Sequence, residues 1–267
     1  MALTFPALPD VVFERAPLLV VLTQIRFPPI LSLLAEPGVV GFQEAIRDDY
    51  GQMVKVDESG VLLGPSGVQT ERHAPIWKFT PDGNEDWVVS LSVDFVSFET
   101  PEYTHADDFI RRFNRVLDAL DRTVHPASST RIGLRKVNDI TAPAPVTHTS
   151  GWREFLNPSL LGISGEEPLA PYVVETRNHA RLRDENGDEL AILHGLVGDN
   201  LGQYRLDLDY YSERPLEIRA SSELSELLRT FAASETEFFM WALDPAFRET
   251  FGPISRPKEG TEYDNSP

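Results

Sequence analysis

Apolar and polar positions along this chain form two similar series. Residues 17–123 and 131–250 each read as strand, helix, three strands, helix. Leu18-Leu19-Val20-Val21-Leu22 is a continuous apolar run, and Gln24-Ile25-Arg26-Phe27 then alternates. That pattern predicts a buried central strand, stopped at Pro28-Pro29 because proline has no N–H to give a ladder. Phe42, Ile46 and Tyr50 recur four apart and predict a short helix over 39–50. Residues 60–99 predict three strands, with turns at Gly64-Pro65-Ser66-Gly67 and Pro81-Asp82-Gly83-Asn84. Trp87, Val89, Leu91, Val93 and Phe95 alternate with Val88, Ser90, Ser92 and Asp94, as one strand of a sheet covered on one side would. Phe109, Phe113, Val116, Leu120 and Val124 then step by three and four. They predict a long helix, opened by a capping pattern at Thr104-His105-Ala106-Asp107 and ended by His125-Pro126.

The second series opens with a strand over 130–140 and a short helix over 152–161. Strands over 171–183 and 190–197 flank Asn186-Gly187, a pair suited to the positive φ of a two-residue hairpin turn. A third strand runs over 203–212. The last helix starts near Ser221 and is expected to break, because Ser234-Glu235-Thr236-Glu237 and Asp244-Pro245 both resemble fresh helix starts. Single residues correspond between the series: Arg26 with Arg135, Phe42 with Trp152, and Val93-Asp94-Phe95 with Leu208-Asp209-Tyr210.

The predicted fold class is therefore α+β: two fused β-α-β-β-β-α units with antiparallel sheets, helices on one face, and a pseudo-twofold axis between them. Residues 1–16 form an N-terminal surface segment, 17–124 the first unit, 131–254 the second, and 255–267 a disordered tail with no apolar pattern. The short connection at 124–130 favours one merged body, in which strands 17–27 and 131–140 pair across the axis. Two discrete domains side by side are the alternative.

Four segments carry a family resemblance. They are Gln24-Ile25-Arg26-Phe27, Arg131-Ile132-Gly133-Leu134-Arg135-Lys136-Val137-Asn138, Leu206-Asp207-Leu208-Asp209 and the aromatic-rich Phe238-Phe239-Met240-Trp241. In this order and spacing, the chain from about residue 12 to 254 resembles a sporadically distributed prokaryotic family of uncharacterised proteins. The chain departs from that pattern at Lys136, where an aromatic is expected after Arg135. The resemblance implies the same fold and supplies no catalytic residues.

Composition narrows the classes of function. The chain has 267 residues, 41% of them hydrophobic, which is enough to bury a sizeable core. It has no cysteine, so disulfides, thiolate metal sites and cysteine nucleophiles are excluded together. A net charge of −18, from 24 basic and 42 acidic residues, repels phosphate backbones and argues against nucleic-acid binding. It favours solubility or a basic partner. No apolar run is long enough to cross a bilayer, and the N-terminus lacks the basic and apolar regions of a signal peptide, so a cytoplasmic location without membrane contact is expected.

Two constellations could carry chemistry. If residues 186 and 187 form the two-residue turn and the next turn centres on Asn200-Leu201, His179 faces His194 and His194 faces Asp207. That row would suit a metal, an acid–base relay or a bound ligand. It would equally suit a solvated face of cross-strand charge pairs, and a one-residue bulge would move every partner. In the second constellation, Arg26 and Arg135 end otherwise apolar strands and would need partners, for which Asp94 and Asp209 stand at equivalent places. They form either a repeated structural ion pair or a double guanidinium grip on an acidic ligand. The cluster around Phe239 and Trp241 is either core or a partner-binding patch. No nucleotide, zincin or hydrolase motif is present. The expectation is a cofactor-free, metal-free binding protein, an acidic regulatory or neutralising partner of a basic protein, with a homodimer left open. The alternative is a small-ligand sensor or enzyme using the face of His179, His194 and Asp207.

Overall fold

The apolar strand that opens the first series lies at the middle of a nine-stranded antiparallel sheet. The computed structural model describes residues 11–57, 59–64, 67–72, 74–198, 200–219 and 221–255. Residues 1–10 of the expected surface segment 1–16, most of the tail and the middle of the Gly64–Gly67 turn lie outside these residues.

The strands are β1 (Val11–Phe13), β2 (Leu18–Arg26), β3 (Gln52–Val56), β4 (Ser59–Gly64), β5 (Gly67–Arg72), β6 (Ile76–Thr80), β7 (Val88–Leu91) and β8 (Phe95–Thr100). They continue with β9 (Arg131–Thr141), β10 (Asn178–Arg183), β11 (Glu189–Val197), β12 (Asn200–Ser212) and β13 (Pro253–Ser255). The helices are α1 (Val40–Ile46), α2 (Ala106–Thr123), α3 (Ser222–Ala242) and α4 (Pro245–Glu249). The large sheet has the order β10-β11-β12-β9-β2-β8-β7-β6-β3, and β1-β13 and β4-β5 form separate two-stranded pairs.

At the centre, β2 pairs antiparallel with β9, placing Ile25 opposite Ile132 and Thr23 opposite Leu134. The buried Thr23 hydroxyl donates to the Gly133 carbonyl at 2.9 Å, so the one polar side chain between these apolar neighbours is satisfied. Outward from this pair, each half places the strand that precedes its long helix first (β8 or β12) and the earlier strands beyond it. The first half adds β3 at its edge.

Three helices cover one face. Phe113 of α2 stacks on Phe98 at 6.0 Å, Phe231 of α3 stacks on Tyr210 at 4.5 Å, and Phe42 of α1 meets Phe79 edge-on at 5.5 Å. The expected cap of α2 is used: His105 Nδ1 accepts from Asp108 N at 3.1 Å. Its other end closes with His125 at φ 52, a left-handed stop just before Pro126.

Five expectations need correction. The alternating run 87–95 is two strands, because the chain reverses between β7 and β8 with Ser92 N bonded to Phe95 O at 2.9 Å. No glycine or proline marks that turn; instead Phe27 N and Ile30 N donate to its Asp94 and Val93 carbonyls at 2.9 and 2.7 Å. Asp94 therefore sits in a turn and Asp209 in mid-strand, so the two are not equivalent. Residues 60–99 hold more than the three expected strands, namely β4 to β8 with only the first residue of β4 preceding them. The expected helix at 152–161 is a string of short 3-10 turns over 149–172, interrupted by Pro158, Pro171 and Gly162 at φ +52. Finally, α3 runs unbroken through Ser234 and Glu235, which are buried against the sheet and not available as caps.

Candidate functional site

The proposed histidine row fails on register. Asp184 Oδ1 accepts from Asn186 N and Asp188 N at 2.8 and 2.9 Å, and Asp184 N bonds Asp188 O at 2.9 Å. Those bonds close a longer loop with Gly187 at φ +87, in place of the two-residue turn. Every facing pair moves by one. His179 faces Leu193, Leu193 faces Asp207, and His194 faces Asn178 and Leu206. His194 thus points to the helix-covered face, where it is buried and its Nδ1 lies 2.6 Å from the Tyr204 hydroxyl. Burial pushes the His194 pKa down and the Tyr204 pKa up, as expected for two neutral groups sharing one hydrogen bond. Among the described residues, no group of three or more His, Asp or Glu could hold a metal ion.

The other face carries a ladder of charge pairs. Arg135 Nε and one amino group grip both oxygens of Asp207 at 2.7 and 2.5 Å. Arg131 bonds Asp209 at 2.7 Å and lies over the Tyr211 ring at 4.2 Å. Arg205 holds Asp139 bidentately at 2.6 and 2.7 Å. Arg183 bonds Glu189, whose other oxygen accepts from the Tyr211 hydroxyl at 2.5 Å. The hydrogen bonds with Asp207 hold the Arg135 pKa above its ordinary value. Burial raises the pKa of Asp209, and the Arg131 guanidinium works against that rise. Neither Arg26 nor Arg135 is buried, contrary to expectation. The Arg26 side chain donates to Gln24 Oε1 at 3.0 Å, and Arg26 faces Arg131 and Phe95 and not Arg135. The expected double guanidinium grip is therefore not formed, and Asp94 and Asp209 are not the hydrogen-bond partners of Arg26 and Arg135.

A second ionisable pair lies inside. Lys136, on the helix side of β9, is buried; its Nζ donates to Ala232 O at 2.8 Å and Thr236 Oγ1 at 2.9 Å, both on α3. Glu235, fully buried on the same helix, accepts from Tyr210 N at 3.2 Å through Oε1, and its Oε2 has no hydrogen-bond partner among the described residues. Burial lowers the Lys136 pKa and raises that of Glu235 well above the carboxylate range, and each group's charge opposes the other's shift. Lys136 thus reaches across from β9 to α3.

The aromatic C-terminal cluster divides. Phe239 is buried, edge-on to Phe13 at 5.9 Å and tilted against Phe251 at 6.5 Å, so it is core and not a partner-binding residue. Trp241 is half-buried and lines a cleft of about 390 Å³ between the 3-10 turns and the end of α3. Arg153 and Arg248 reach the same cleft. No period in the sequence singles out either arginine, because they lie in irregular or very short elements. The burial of Lys136 and Glu235 is a property of packing that the sequence does not show, although a lysine in an apolar strand is a usable signal.

No protein-family model matches the chain, and no curated protein is significantly similar to it. No helix among the described residues is long and apolar enough to cross a membrane.

Proposed function

We propose that this chain is a non-enzymatic binding protein, a regulatory or neutralising partner that meets a basic protein in the cytoplasm of a prokaryotic cell. The observation that carries the reading is how the positive charge is used. Arg131, Arg135, Arg183, Arg205, Arg214 and Arg229 each hold a carboxylate of the chain itself. The arginines are spent locally, and the excess of 18 negative charges is left to set the outward field. Such a field speeds and selects encounters with cationic surfaces.

The scaffold reading is a tandem duplication about a pseudo-twofold axis through the β2–β9 pair. It is supported by the shared outward strand order and by Phe42 and Trp152, both fully buried in the helical or turn segment after the first strand of each half. The rival reading, an enzyme or sensor built on His179, His194 and Asp207, loses its geometry with the register.

Capture from native lysate at low salt, with the recovered protein identified and recombined pure, tests the proposal. A stoichiometric partner of net positive charge is the expected result. A recovered partner that is neutral or acidic, or none at all, overturns it.

A further inference from the structure

We propose that the cleft beside Trp241 is a binding site for a small organic carboxylate with a flat apolar body. This does not rest on the basic-partner reading. The cleft holds about 390 Å³, at the small end of the roughly 300–1,000 Å³ usual for ligand pockets. Leu156, Met240 and Leu243 give it apolar walls, and Trp241 adds an aromatic surface.

The polar groups select an anion. Arg248 reaches the cleft, and its buried Nε has no hydrogen-bond partner among the described residues. What sets Arg248 apart is that this unpartnered Nε is buried, so water does not satisfy it. An unsatisfied buried donor is costly, and a carboxylate fork matches a guanidinium fork in shape and charge. Arg153 adds a second guanidinium, one amino group of which is held by Glu166 at 2.6 Å, which orients it. Asp244 sets the limit on charge. Its Oδ1 is fixed by Ala246 N and Phe247 N at 2.8 and 3.3 Å, and its carboxylate lines the same cleft. That negative charge opposes a second one on the ligand, so a monoanionic carboxylate is favoured over a phosphate dianion.

The test uses the full chain and the indole N–H resonance of Trp241, assigned by its loss in Trp241→Phe. Phenylpropanoate, benzoate and naphthoate are titrated, with phenylpropanol and inorganic phosphate as controls. At least one carboxylate is expected to give a saturable shift with a Kd at or below about 1 mM, and neither control to do so. Arg248→Gln is expected to weaken that binding at least about tenfold, while Arg248→Lys, which keeps the charge but loses the fork, weakens it less. Should Arg248→Gln fail to fold, Arg153→Gln at the partly exposed second guanidinium carries the same test. No saturable shift up to about 10 mM of any of the three carboxylates, stronger binding of phosphate, or unchanged affinity in the arginine variants overturns the proposal.

Discussion

Arg135 stands directly across the β9–β12 ladder from Asp209 but binds Asp207, one side chain further along the same face. The diagonal leaves Asp209 to Arg131, so two carboxylates and two guanidiniums interlock in place of two separate rungs. The exposures are unequal. The Arg135 side chain is 46% exposed and that of Asp207 only 7%. Water can take over the arginine's solvation if Asp207 is lost, but not the carboxylate's if Arg135 is lost.

The two truncations should therefore differ. Arg135→Ala is expected to cost about 2 kcal/mol or more, since it strands a buried carboxylate beside Asp209. Asp207→Asn, which keeps the shape and leaves a solvated guanidinium, is expected to cost about 1 kcal/mol after allowance for solvent screening. Urea denaturation of both variants measures this, and equal losses would show the pair to be a surface contact.

The buried pair makes a prediction in pH. A carboxyl whose folded pKa is raised stabilises the fold fully below its unfolded pKa, and that contribution is lost as pH rises through the folded value. In the wild type, Lys136 opposes the rise for Glu235. Lys136→Met removes that opposition, so stability should fall as pH increases from the ordinary carboxylate range to neutrality and above. The slope is bounded at about 1.4 kcal/mol per pH unit for a single proton. Lys136→Met with Glu235→Leu should be flat over the same window and more stable than Lys136→Met at neutral pH. A single variant with the wild-type profile would mean that Glu235 is not held by Lys136.

The loop after β10 sets the register between β10 and β11, so Asp184 has influence beyond its own contacts. Asp184→Ala removes two side-chain acceptors and is expected to cost about 1 kcal/mol. Asp184→Asn, which keeps the Oδ1 acceptor of the loop but not the Oδ2 acceptor of the Tyr210 hydroxyl, should cost less than Asp184→Ala. Cross-strand contacts between His179 and Leu193, measured by NMR, should persist in both. Contacts between His179 and His194 would instead restore the two-residue turn.

These results show where periodicity is informative. Strand β2, the stripe on α2 and the pairing of the two central strands follow from long apolar patterns whose burial admits one arrangement. The register at Asn186-Gly187 was not legible from the pair alone, because the side chain two residues earlier decides which loop closes. The β7–β8 turn was invisible because its carbonyls are held by backbone after β2, far away in sequence. Of the candidate site residues, Asp207 and His179 share the face expected of them, while His194 and Phe239 went to the core. The cleft at Trp241 was half-seen, since its aromatic stood out in sequence and its arginines did not.

The central claim is that an unneutralised acidic surface recognises a basic protein. The most direct measurement is the affinity of the purified complex across ionic strength. The account predicts that log K falls linearly with log salt, by about tenfold or more between roughly 50 and 500 mM, as surface charge is screened. An affinity unchanged over that range would contradict it.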